Sequence, residues 1–224
     1  MRELSPSSEQ PPAAGQPGGS AIVTMTPGPQ WRCRLLPAAG VVGQPLSAWQ
    51  RQQALALLAQ LRPAGIALTQ YTSQPCGELF HSGASADGQV HAYALLRRDR
   101  SVEMVATLPT GCWPPHAHAW WPGVYELPLL QQITPLLLPL ADALALPAPC
   151  SLQMTLLALQ GSALIAKHQQ GSERVYPLPP DIDRLELPPV RFDGFSAASR
   201  SALIHALDQV RTCAGASSAT AFYL

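Results

Sequence analysis

The chain has 224 residues, 47% of them apolar and 12% charged, and its 14 basic and 14 acidic residues cancel to a net charge of zero. The apolar fraction suffices for a sizeable core, and the lack of clustered positive charge argues against strong nucleic-acid binding, which neutralises phosphates with cations. Five scattered cysteines without a CxxC, and an N-terminus without an apolar run, point away from a disulfide framework and a secretory leader and towards a reducing cytoplasm.

Residues 1–20 mix Pro, Gly, Ser, Gln and Ala without periodicity, which predicts a disordered tail. Residues 21–224 are expected to form one domain, with 85–90 as the place where a sub-boundary would fall. Ala21–Met25 and Gln30–Leu36 suit short strands around the Pro27-Gly28-Pro29 breaker, and Pro37–Pro45 suits a connection. Ser47 stands in N-cap position before a helix on which Trp49, Ala54, Leu57, Leu58 and Leu61 recur at helical spacing. Pro63 and Gly65 end it. Ile66–Tyr71 is expected as a strand and Thr72–Gly77 as a loop.

Gln89–Leu96 and Ser101–Leu108 predict a β-hairpin whose tip, Arg97–Arg100, is charged and solvated. Pro109–Gly123 then reads as a loop rich in Pro and Trp. The helix after it is expected to start near Glu126, with Pro128 in its first turn and a kink or break at Pro135 and Pro139. Leu127–Leu146 is apolar but contains Gln131, Gln132, Asp142 and three prolines, so it reads as a buried helix and not as a bilayer span.

Ser151–Leu159 and Ser162–Lys167, joined by Gln160-Gly161, predict a strand and its returning partner, with Leu156 and Leu159 deep in the core. Arg184–Leu187 reads as an edge strand beside Pro188-Pro189. Ser196–Ala214 reads as a last helix closed by Gly215. The expected fold class is therefore α+β, a mainly antiparallel sheet of hairpins with about three helices. The stretch Trp113–Lys167 is expected to centre its core.

No catalytic signature stands out, and no cofactor motif occurs. Glycines 15, 18 and 19 lack the Lys and the flanking strand and helix of a phosphate loop. Asp181, Asp183 and Glu186 sit where solvated carboxylates are the default. Cys76, His81, Cys112, His116 and His118 are weak candidates for a zinc site, because their spacing matches no standard motif. Trp113, Trp120 and Trp121, with Tyr125 nearby, are the partner-contact candidates. Interfaces favour such residues, and prolines 114, 115 and 122 stiffen the loop that carries them. Within it, Trp113 is expected in the core, and Trp120 or Trp121 at the partner-facing surface.

From Tyr93 to Tyr223 the order of segments resembles the region that follows the AlbA-like, Schlafen-type DNA-binding domain of a group of bacterial proteins. The strand "RDGxIEAV" of that group is matched by Arg98-Asp99-Arg100-Ser101-Val102-Glu103-Met104-Val105. The "LxLLGVxG" strand is matched by Leu152 and Leu156-Leu157-Ala158-Leu159-Gln160-Gly161, and the closing helix by Asp208 through Cys213-Ala214-Gly215, followed by Ser217-Ser218 and Phe222-Tyr223. The DNA-binding domain itself is absent, and the first 90 residues carry no "LEFK"-like motif, so neither DNA binding nor a nuclease role carries over. What the resemblance implies is an accessory α+β domain. The expected function is a non-catalytic accessory or regulatory module of a bacterial cytoplasmic system with a protein partner. Composition and charge, not the resemblance, argue against a membrane role and strong nucleic-acid binding. A small-ligand-sensing domain, and an enzyme with a Cys/His site, are the alternative readings.

Overall fold

The computed structural model describes residues 23–37, 45–167, 172–192 and 197–217. The predicted tail lies outside them. Strand β1 (Gln30–Leu36) alternates half-buried and buried residues along its length, so Trp31, Cys33 and Leu35 face the core while Arg32 and Arg34 face away. Helix α1 (Ala48–Leu58) begins with the expected cap. The Ser47 hydroxyl accepts from the Gln50 N–H at 3.2 Å, and the Gln50 side chain accepts from the Ser47 N–H at 3.0 Å. Ala54, Leu58 and Leu61 are buried, but Trp49, expected on the same apolar stripe, is 64% exposed.

Strands β2 (Gln70–Gln74) and β3 (Gly77–His81) form a hairpin around Pro75-Cys76, where a single strand followed by a loop was expected. The polar run Gln70–Gln74 gives no apolar signal, because it is an exposed edge strand. Strands β4 (Ala92–Arg97) and β5 (Val102–Thr107) form the predicted hairpin. The stretch 85–90 connects β3 and β4, which pair with each other.

The hairpin tip is less solvated than its charge suggests. Arg100 is buried, and its guanidinium donates to the carbonyls of Leu144 (3.1 Å) and Ala145 (3.4 Å). These carbonyls end a helical rod, where orphan acceptors and the negative dipole end favour a cation. The rod runs through α2 (Gly123–Pro128), a π-helical turn (Leu129–Ile133) and α3 (Thr134–Ala143). Of the kink or break expected at Pro135 and Pro139, no break occurs, because the chain stays helical through both. The π turn absorbs the first misfit: the Thr134 N–H bonds the Leu129 carbonyl five residues back, and the Thr134 hydroxyl donates to the same oxygen at 2.5 Å. Pro135 then sits in the first turn of α3, where its missing N–H matters least, and Pro139 faces solvent.

Strands β6 (Gly111–Trp113) and β7 (His116–Trp120) occupy the region expected to be a loop. Next come β8 (Cys150–Leu157), β9 (Ser162–Lys167), β10 (Glu173–Pro177), β11 (Arg184–Glu186), β12 (Val190–Phe192) and helix α4 (Ala197–Cys213). Two sheets result. The larger has the order β11-β8-β1-β5-β4-β3-β2, with β12 also on β8, and all its pairs are antiparallel. The smaller has the order β10-β9-β7-β6, with β7 and β9 parallel. The fold is α+β and mainly antiparallel, as the sequence predicts.

Strand β9 is not the returning partner of β8. The turn through Ala158 (φ 53°) and Gly161 (φ 72°) carries the chain from one sheet into the other, where β9 joins β10 and β7. Leu156 and Leu159 are both fully buried, as expected. The middle strand of the larger sheet is β5, between β1 and β4, outside the stretch expected to centre the core.

The main core lies on one face of the larger sheet. There Trp31, Leu35, Met104 and Leu156 meet Leu129, Ile133, Leu137 and Leu140 of the rod and Leu203, Leu207 and Val210 of α4. Trp120 and Leu164 bring one face of the smaller sheet into that core, while Ala119, Ala163 and Ile165 cluster separately. Among the described residues no helix is long and apolar enough to cross a membrane. The opposite face of the larger sheet carries a small cluster of Leu79, Tyr93, Leu95 and Val105, against which Val23 and Met25 pack. Met25 makes a single bridge to Val90, so the strand expected over Ala21–Met25 is reduced to that contact in its described part.

Candidate functional site

The tryptophan region divides along β7. Side chains of consecutive strand residues point to opposite faces, so Trp120 goes inward and Trp121, just past the strand, goes outward. Trp120 is fully buried, 6.0 Å from Tyr125 between ring centroids, and Tyr125 stacks in turn on Trp31 at 6.2 Å. Trp120 and Tyr125 are therefore core residues, not contact residues. Trp113 departs from expectation in the opposite direction. Expected in the core, it is 38% exposed at the end of edge strand β6, beside Trp121, which is 39% exposed. The two exposed indoles meet edge to face at 6.4 Å, the geometry that aligns a ring's positive rim with its neighbour's negative face. The Trp121 indole N–H donates to Glu173 on β10 at 3.3 Å, which ties the pair to the far edge of the same sheet.

The weak metal candidates are distributed over two sheets. Cys76 and His81 belong to the β2–β3 hairpin, with the Cys76 thiol 3.6 Å from the Gln74 amide oxygen and His81 Nδ1 2.6 Å from the Ser82 carbonyl. Cys112, His116 and His118 lie on the β6–β7 hairpin. Among the described residues no three Cys, His, Asp or Glu side chains come together as a metal site.

A second arrangement was not anticipated from sequence. On the larger sheet's outer face Arg34 Nε donates to Glu103 Oε2 at 2.6 Å, Arg97 donates to Oε1 at 3.2 Å, and the Tyr93 hydroxyl donates to Oε1 at 2.8 Å. Burial alone would push the Glu103 carboxyl up, but the Tyr93 and Arg34 hydrogen bonds and the charges of Arg34 and Arg97 together hold it below its ordinary value. The same environment pushes the Tyr93 hydroxyl well up, by burial and by the Glu103 charge.

Arg32 lies beside this network, one step along the same face of β1. Burial and the charges of Arg34 and Arg184 lower its pKa, with Glu103 and Tyr93 opposing. Its Nε is buried and has no hydrogen-bond partner among the described residues. Arg32, Arg34 and Arg184 line a cleft of about 250 Å³ over β1, β8 and β11, with Gln153, Thr155 and Glu186 at its other walls. The signal that would have exposed it is Arg-x-Arg on a strand, which sends both cations to one face. That this face is uncovered at β1 follows only from tertiary structure. Comparisons with protein-family models, with characterised proteins and with solved structures find no match to this chain.

Proposed function

We propose that this chain is a non-catalytic accessory module of the bacterial cytoplasm that binds a protein partner through the β6–β7 hairpin. The observation that carries the reading is the Trp113–Trp121 pair, two indoles held edge to face on one sheet with about two fifths of each ring's residue open to solvent. Indoles fixed in this way lose little entropy on binding, and interface energies concentrate in such residues. Strand β6 borders the smaller sheet, so its outer backbone groups are available for an added strand beside the rings. The near-neutral charge weakens repulsion from a partner, and the resemblance from Tyr93 onward supports an accessory role.

The test compares affinity capture from the native host by the wild-type chain and by the doubly substituted Trp113→Ala/Trp121→Ala chain. The expected result is one or more proteins lost from the variant, with its melting temperature kept. An unchanged set of captured proteins at an unchanged melting temperature would sink the reading.

A further inference from the structure

We propose that the cleft over β1, β8 and β11 is a binding site for a small doubly charged oxyanion of the phosphate class, with Arg32 as its central ligand and Arg34 and Arg184 at its sides. Charge complementarity selects the ligand. Three guanidinium groups (Arg32, Arg34 and Arg184) line the cleft with one carboxylate, Glu186. The patch therefore carries an excess of two positive charges in a chain whose net charge is zero.

The existing pairs leave Arg32 as the group that lacks an acceptor. Arg34 and Arg97 are engaged by Glu103, and Arg184 by Glu186 two residues along the same edge strand. Arg32 has no ion pair among the described residues, and two of its nearest charges are other arginines. A planar guanidinium presents a fork of N–H donors suited to two oxygens of one phosphate. An oxyanion in the cleft would give Arg32 its acceptors and relieve the repulsion among the three arginines. The Thr155 hydroxyl and Gln153 amide, on the β8 positions that face β1 at Arg32 and Arg34, supply neutral donors to the remaining oxygens. The cleft volume of about 250 Å³ admits a phosphoryl group and a short substituent, which covers both free phosphate and a small phosphate monoester.

The experiment is calorimetric titration of the full chain with inorganic phosphate, glycerol phosphate and sulfate at constant ionic strength set by chloride, repeated with Arg32→Gln and Arg184→Gln. The expected result is saturable binding of phosphate or its monoester. Affinity should fall at least tenfold in Arg32→Gln, fall in Arg184→Gln, and stay unchanged in Arg174→Gln on β10. Tighter binding of glycerol phosphate than of inorganic phosphate would identify a monoester, and the reverse would identify the free ion. Arg184 is half-exposed on an edge strand, so its variant tests the site even where Arg32→Gln loses the fold. Binding that chloride matches, or that survives both substitutions, would overturn the proposal. The site is separate from the tryptophan pair, so Trp113→Ala/Trp121→Ala should bind phosphate as the wild type does.

Discussion

Glu126 and Arg211 form a bidentate ion pair inside the protein, with the second contact at 2.6 Å and both side chains almost wholly removed from solvent. They are 85 positions apart in sequence, and the helices they belong to present opposite dipole ends. Glu126 sits in the first turn of α2, where the partial charge is positive, and Arg211 in the last turn of α4, where it is negative. Burial pushes the Glu126 carboxyl up, Arg211 opposes that shift, and Asp208 adds to it. The pair fastens the C-terminal helix to the start of the rod beneath the aromatic cluster.

Removing one partner strands a buried charge, so Glu126→Gln should cost about 3–5 kcal/mol in urea unfolding. Replacing both with apolar side chains of similar volume, Glu126→Leu/Arg211→Met, should cost much less than either single change. A double variant that costs the sum of the two single changes would show that the two side chains act independently, through packing alone.

Glu103 gives the molecule a specific acid sensitivity. Its pKa in the folded chain is lower than in the unfolded one, so its contribution to stability is present above the ordinary value of 4.5 and is lost as pH falls through the folded value. Glu103→Gln should therefore flatten the fall in stability below about pH 4.5, measured by denaturant melts across the acid range. An unchanged acid limb would show that the Arg34–Glu103–Arg97 network does not couple to folding.

The tryptophans should separate into two classes. Trp31→Ala and Trp120→Ala remove fully buried rings and should cost about 3–5 kcal/mol. Trp113→Ala and Trp121→Ala should change stability by about 0.5 kcal/mol or less, since surface substitutions rarely do more. A core-sized loss at Trp113 or Trp121 would make the hairpin structural and remove the basis for partner binding.

Thiol reactivity should follow burial. Burial pushes the Cys33 thiol far above its ordinary value, and also raises Cys150 and Cys213. Cys112 is exposed on β6. A disulfide reagent at neutral pH should modify Cys112 in the folded chain and leave Cys33 until denaturant is added. Prompt modification of Cys33, located by mass spectrometry, would contradict its placement in the core.

What the sequence made legible was local. The alternation in Gln30–Leu36, the Ser47 cap and the α4 stop at Gly215 each follow from neighbouring residues, and all appear in the structure. Pairing between distant segments was not legible. The apolar runs around Gln160-Gly161 look like a hairpin, but nothing local distinguishes a returning strand from one that leaves for another sheet. The same limit hid the Glu126–Arg211 pair and the company that Arg32 keeps. At the tryptophan loop the period of two was present in His116–Trp120. Reading the segment as a loop discarded the alternation that sends Trp120 inward and Trp121 outward.

Gly77 offers the sharpest test of the β2–β3 hairpin. Its φ of 153° lies in the range that side-chain-bearing residues avoid, and a Cβ there would stand 1.9 Å from the Leu96 carbonyl oxygen. The obstacle is backbone, in the neighbouring strand of the sheet, so no rotamer change relieves it. Gly77 also pairs with both Gln74 and Arg97, so any displacement spreads to β2 and β4. Gly77→Ala should cost about 1–3 kcal/mol from backbone strain and a similar amount, about 1–3 kcal/mol, from overpacking. At Gly88, where a Cβ meets no neighbouring atom and only the positive φ resists it, the same substitution should cost only the strain. Urea melts of the two variants side by side measure the difference. If Gly77→Ala were no worse than Gly88→Ala, the close approach of β3 to β4 at Leu96 would be wrong.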